Sequence, residues 1–169
     1  MDEIVTAEFT HPYGTARVAA TAHGVIRIAF DCEDRADVAT EFARLGAVRD
    51  DPAALDDTLR WLAGALEGTP DNPTPACDLR GVSSPFARDV LAAIEAVPPG
   101  RTISYADLAA AAGHPRAIRA AAHVCATNPV PLVIGCHRVV RSDGTIGDYR
   151  GGTALKSYLL RREELVTAR

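Results

Sequence analysis

The sharpest chemical feature of the sequence is the adjacent pair Cys136-His137. A thiol of ordinary pKa, ~8.5, is only slightly ionised at neutral pH. A nucleophilic cysteine therefore needs a base, or the positive end of a helix, beside it. Histidine is the usual base, because its charge changes near neutrality. Neighbouring residues of a strand point to opposite faces, so the pair can cooperate only where the backbone bends. Gly135, just before the cysteine, permits such a bend. Taken alone, a Cys-His dipeptide is more often structural, and a small buried hydrophobe is the bland reading of any such cysteine.

The segments that must position this pair are readable from pattern. Val130 to Ile134 reads as a short strand leading into Gly135-Cys136-His137-Arg138. Val139-Val140 and Thr145-Ile146 flank Asp143-Gly144, a hairpin signal. A final helix is expected from about Thr153 to Leu165. Upstream, Ser84-Pro85 is a helix start, with serine at the cap and proline at the first position. That helix should run to about Val97 and stop at Pro98-Pro99-Gly100. Ser104-Tyr105-Ala106-Asp107 is a capping box for a short helix ending at Gly113, and Pro115 opens another over about 116–126. Two short helices joined by Gly113-His114 have a helix-turn-helix shape, which is common and by itself does not imply DNA binding.

The first half reads differently. Residues 4–10 and 16–30 have strand composition, with turns at 11–14 and at His23-Gly24. Asp37 to Leu45 and Pro52 to Glu67 have helical spacing. Residues 68–75 carry three prolines and read as a linker. The expected organisation is an α/β N-terminal domain over 1–80, a small antiparallel sheet with helices, and a mostly α C-terminal domain over 84–169.

Composition limits the function classes. The chain has 169 residues, 47% hydrophobic and 24% charged, which suffices to bury a core without disulfides or metal. No apolar run approaches the ~20 residues of a membrane span, and the acidic start Met1-Asp2-Glu3 does not read as an export signal, so a cytoplasmic location is expected. Cys32, Cys77, Cys125 and Cys136 form no C-x-x-C pair and are expected to be reduced thiols, the first three as small buried hydrophobes. The net charge of -4 is split unevenly: residues 1–83 hold 7 basic and 15 acidic side chains, giving -8, and 84–169 hold 11 and 7, giving +4. Such a split hints that only the second half meets a polyanion. Cys32, Cys77, His11 and His23 lack paired-ligand spacing, so no metal is expected.

The stretch Pro129-Val130-Pro131-Leu132-Val133-Ile134-Gly135-Cys136-His137-Arg138-Val139-Val140 resembles the active-site signature of the O6-alkylguanine-DNA alkyltransferases, which reads Asn-Pro, a short strand, then Pro-Cys-His-Arg-Val. The resemblance continues upstream through Phe86, the segment from Pro99 to Tyr105, and Arg119. Downstream it takes in the segment from Gly147 to Gly152, Lys156-Ser157-Tyr158-Leu159-Leu160 and Glu163, and it covers about Phe86 to Glu164. It is looser in the N-terminal part. It implies a ribonuclease H-like N-terminal domain and a winged helix-turn-helix-like C-terminal domain. It also implies a monomer acting on double-stranded DNA containing O6-alkylguanine, with no cofactor and no membrane.

In that reading Cys136 attacks the alkyl carbon, His137 takes the thiol proton and Glu163 orients His137. Tyr105 donates to the base and Asn128 braces the loop. Arg119 fills the space left by an extruded nucleotide. Arg116, Ala120, His123 and Arg138 join Tyr105 and Arg119 at the DNA. Tyr149, Arg150, Gly151 and Gly135 surround the alkyl group. The residues alone leave blander readings open: Glu163 as an exposed residue of a charged helix end, Tyr105 as a core tyrosine, Asn128 as an Asn-Pro turn, and Arg116, Arg119 and His123 as a solvated stripe. Five positions depart from the family pattern: Gly135 replaces a proline, Ala122 and His123 replace glycines, and Ala126-Thr127 differ from the usual pair. The competing functions are a diverged relative that binds damaged DNA with little or no transfer, and an unrelated cysteine hydrolase.

Overall fold

The computed structural model describes residues 2–70 and 73–167 of the chain. The chain divides into two compact units, Met1–Gly81 and Val82–Arg169. Among the described residues no helix is long and apolar enough to cross a membrane.

The first unit is built on a four-stranded sheet. Strands β1 (Asp2–His11), β2 (Gly14–Thr21) and β3 (Gly24–Phe30) form an antiparallel meander. Helix α1 (Arg35–Leu45) follows, then β4 (Gly46–Asp50), which returns to the free edge of β1 and runs parallel to it, giving the order β3-β2-β1-β4. The sheet is therefore mixed, a correction to the antiparallel sheet expected from sequence. β4 escapes a pattern search because it is a short edge strand whose residues after Gly46 are all exposed, so it lacks the alternation of a half-buried strand. Ile4, Ala19 and Ala29 of the sheet pack with Val38 and Phe42 of α1. A short 3-10 turn, Pro52–Leu55, leads into α2 (Asp56–Glu67), which buries Trp61, Leu62 and Leu66. The chain beyond bonds back to β3, where Val25 N–H donates to the Ala76 carbonyl and Asp78 N–H to the Val25 carbonyl. Gly24, at φ +133°, allows that approach, since a Cβ there would lie 2.3 Å from the Ala76 oxygen.

The second unit is mostly helical. Helix α3 (Pro85–Glu95) starts where expected, with Ser84 Oγ accepting from Ala87 N–H. Strand β5 (Ile103–Ser104) passes directly into α4 (Tyr105–Ala111), capped by Ser104 Oγ on Asp107 N–H. Helix α5 (Ile118–Ala126) begins two residues later than its sequence suggests. His114 to Ala117 instead form a turn closed by Ala117 N–H on the His114 carbonyl, so Arg116 precedes the helix and does not share a helical face with Arg119 and His123. Strand β6 (Val139–Val140) pairs in parallel with β5, and α6 (Thr153–Thr167) closes the unit. The Asp143-Gly144 turn is present, with Arg141 N–H on the Thr145 carbonyl, but Thr145 and Ile146 are not a strand. The inward face of α6 carries Leu155, Lys156, Leu159 and Glu163, so two charged side chains occupy its core stripe.

None of the four cysteines is in a disulfide. Cys125 and Cys136 are buried and Cys77 is half-buried. Cys32 is exposed, contrary to the buried position expected, because it falls in the turn between β3 and α1.

Asp34 caps α1 by accepting from both Ala36 and Asp37 N–H groups. Asp34→Ala is expected to lower the denaturant midpoint by the equivalent of about 1 kcal/mol with an unchanged m-value.

Candidate active site

The run Val130–Ile134 does not form the strand its composition suggests. Ile134 N–H donates to the Val130 carbonyl, and Leu132 takes a left-handed φ of +75°. The segment is a buried loop, and its polar groups must be met locally. Asn128, 1% exposed, does this: its Nδ2 donates to the Ile134 carbonyl at 2.9 Å and its Oδ1 accepts from Val130 N–H at 3.0 Å. Burial raises the pKa of the Cys136 thiol, and the Asn128 side chain eases that rise.

The loop delivers the chain into a 3-10 turn, Cys136–Arg138. Cys136 N–H donates to Ile134, Arg138 N–H to Gly135, and Val139 N–H to Cys136. Both Cys136 and His137 are buried, 4% and 2% exposed. The turn supplies the bend that a strand would deny them.

His137 Nε2 lies 2.8 Å from Glu163 Oε1 on α6. Glu163 also accepts from Gly100 N–H at 3.1 Å and from Arg138, whose Nη2 is 2.8 Å from Oε1 and whose Nε is 3.1 Å from Oε2. Burial works against its charge, but the His137 and Arg138 hydrogen bonds outweigh burial and bring its pKa to about 2. Glu163 is therefore a carboxylate at neutral pH, and His137 Nε2 must carry the proton between them. Burial pushes the His137 pKa down more than Glu163 raises it, so the imidazole is neutral. Its lone pair then lies on Nδ1, which has no hydrogen-bond partner among the described residues.

Arg138, expected at the DNA, is instead turned inward, its side chain 13% exposed, with Nη1 on the Val97 carbonyl and the rest of the guanidinium on Glu163. A buried carboxylate takes the nearest planar donor, which outweighs the tendency of arginine to seek water. Gly135 makes room for it, since a Cβ there would lie 2.7 Å from Arg138 Nη1. Sequence reasoning missed this role, and it missed Gly100 N–H.

The other expected residues fall into two groups. Tyr105, Tyr149 and Arg150 lie close enough to Cys136 to couple to it electrically. The Tyr105 hydroxyl approaches Gly147 so closely that a Cβ there would be 2.6 Å away, and burial raises its pKa, so it keeps its proton as a donor. Arg150 Nη1 donates to the Asn128 carbonyl at 3.3 Å, and Gly151 beside it is half-buried. The Tyr149 ring meets His137 edge-on at 6.3 Å. Arg116, Arg119, Ala120 and His123 form the second group, all exposed on or just before α5. No carboxylate of the described residues pairs with Arg116 or Arg119. Among the described residues no cluster of three or more His, Cys, Asp and Glu could hold a metal ion.

Acid should dismantle this site in two stages. Both His137 and Glu163 have folded-state pKa values below their unfolded ones. The unfolded chain thus binds protons first as pH falls, and stability is lost with it. The imidazole contribution is full above about 6.5 and declines below that value. The carboxylate contribution is full above about 4.5 and is lost as pH falls towards about 2. Denaturant midpoints measured across this range should fall in both windows, with the lower step absent in Glu163→Gln. A flat profile would contradict the charge assignment.

Residues 85–165 match the family model for the 6-O-methylguanine DNA methyltransferase, DNA binding domain. The chain is 37% identical over 153 residues to the bifunctional transcriptional activator/DNA repair enzyme Ada of Escherichia coli, covering 89% of this chain and 42% of that protein. It is 39% identical over 130 residues to the human methylated-DNA--protein-cysteine methyltransferase, covering 74% of this chain and 63% of the relative. The chain thus spans from under half to under two thirds of these relatives. The crystal structure of Mycobacterium tuberculosis OGT in complex with DNA superposes with a TM-score of 0.79 at 25% identity, over 96% of this chain and 93% of that one. The likeness to the 6-O-methylguanine DNA methyltransferase family is thus carried by residues 85–165, a little under half of the chain.

Proposed function

We propose that this protein repairs DNA by moving an alkyl group from O6-alkylguanine onto Cys136, irreversibly and once per molecule. The carrying observation is the buried 2.8 Å bond from His137 to an ionised Glu163, in the same turn that holds Cys136. It makes a neutral imidazole in the residue next to the thiol.

The thiol proton passes to His137 Nδ1, directly or through solvent, and Glu163 steadies the resulting cation. The sulfur attacks the alkyl carbon, the carbon–O6 bond breaks, and its electron pair leaves with the guanine. Tyr105 is the donor for the developing charge on the base. The product is a thioether that water does not cleave, so no turnover follows and no cofactor is called for. Tyr149, Arg150, Gly151 and Gly135 surround the alkyl group, and Asn128 holds the loop.

The partner is double-stranded DNA, met by a monomer in the cytoplasm. The target carbon is inside the duplex, so the nucleotide must be extruded at a cost of a few kcal/mol. The exposed face of α5 suits such an extrusion, with Arg119 entering the vacated stack and Arg116, Ala120 and His123 beside it. We read α4, α5 and the β5–β6 pair as winged helix-turn-helix-like, within a DNA-binding and acceptor domain over 84–169. The mixed sheet belongs to a ribonuclease H-like domain over 1–80. The relatives' names and the family match support the reading.

Incubation with a duplex containing O6-methylguanine should add one methyl group, at one equivalent per protein, to the Cys136 peptide, and none to Cys136→Ser. Arg119→Ala should slow transfer from duplex DNA by tenfold or more, on the order of 1.4 kcal/mol, yet leave transfer from a free O6-alkylguanine base nearly unchanged. Retention on alkylated duplex without a mass gain would favour a binding module instead.

A further inference from the structure

Lys156 is the one lysine among 18 basic side chains, the rest being arginine. It is wholly buried, 0% exposed, on the inward stripe of α6. Its Nζ donates to the Val139 carbonyl at 2.6 Å, reaches the Asp148 carbonyl at 3.5 Å, and stands 6.0 Å from the centre of the Tyr105 ring. No ion pair of the described residues includes it, and Glu163 on the same helix is committed to His137 and Arg138. A buried ammonium without a counter-ion is costly. Carbonyl dipoles solvate it but do not neutralise it.

The turn it holds carries the missing anion, since Val139, whose carbonyl accepts from Lys156, donates its own N–H to the Cys136 carbonyl. Burial lowers the Lys156 pKa, opposed first by Cys136 and then by Cys125 and Asp148, with Arg141 acting the other way. Burial raises Cys136, eased by the Asn128 side chain, then by Lys156 and by Arg150. Cys125 on α5 is pushed up to about 12 by burial and stays a thiol. Tyr105 on α4 and Tyr149 in the loop before α6 are likewise raised by burial and stay neutral. Of the groups facing the sulfur, His137 is neutral and Glu163 is already paired.

We propose that Lys156 is the counter-cation of the acceptor thiolate. Its ammonium is fixed on the Val139 carbonyl at the exit of the Cys136–Arg138 turn, where it favours ionised sulfur while His137 removes the proton. When the sulfur becomes a thioether, the ammonium is left uncompensated. Lysine suits such a place because it can shed its proton when buried, whereas arginine cannot. Lys156 acts through charge, so it is a positioning residue rather than a catalytic one. The proposal deepens the alkyl-acceptor reading, and its test contains no DNA, so the two can fail separately.

The rate at which iodoacetamide modifies the Cys136 peptide of the full chain, followed by mass spectrometry against pH, reports the acidity of that sulfur alone. Lys156→Gln should move the midpoint up by about one pH unit, a tenfold loss of thiolate at neutral pH, while Lys156→Arg should stay near the parent. An unchanged profile in Lys156→Gln would overturn the proposal. A second measurement avoids altering the lysine. With 13C at its ε-carbon, the single lysine gives one side-chain resonance, whose titration should move to lower pH in Cys136→Ser. Superposable titrations in the parent and in Cys136→Ser would overturn it too.

Discussion

The second unit depends on one buried carboxylate. Glu163 has a side chain only 7% exposed, and it is held by His137, Arg138 and Gly100 N–H. A charge withdrawn this far from water persists only if its oxygens are met from several sides. Each partner is thereby fixed. Arg138 N–H closes the turn that contains Cys136, its guanidinium ties that turn to the Val97 carbonyl after α3, and His137 is left with one tautomer. The Cys136-His137 pair is thus placed by electrostatic satisfaction on one side and by the Asn128 loop on the other.

The same logic explains why so irregular a segment can be buried. Residues 130–137 are all buried, yet they form no extended ladder. Backbone groups among them are met by Asn128 and by one another. An irregular but well-bonded segment suits the acceptor role proposed for Cys136. Loops carried on a firm scaffold commonly hold reactive groups for this reason. Here α6 is that scaffold, carrying both Glu163 and Lys156 on its inward face.

Much of the local structure was legible in the sequence because it has short-range causes. Ser84 and Ser104 announce helix starts that the structure bears out, since a cap is a local hydrogen bond. Legibility ended where tertiary contacts decide. Val130–Ile134 is apolar and β-branched, so it reads as a strand, but Pro131 lacks an N–H and Leu132 turns left-handed. Arg138 reads as a surface cation until Glu163 is seen to lie opposite. Glu163 itself sits in an Arg-Arg-Glu-Glu run that looks solvated. The four-residue register with Leu155 and Leu159 would have marked it as inward-facing, and the solitary lysine was a compositional signal of the same kind. β4 was missed because short edge strands carry little pattern of their own.

A Glu163 that stays ionised at neutral pH sets the tautomer of His137 and leaves Nδ1 unprotonated. Nitrogen-15 NMR of the histidine side chains reads this directly, since protonated and unprotonated ring nitrogens resonate far apart. At neutral pH His137 should be uncharged, with its proton on Nε2 and a bare Nδ1. A proton found on Nδ1 at neutral pH, whether in the other tautomer or in an imidazolium, would contradict it.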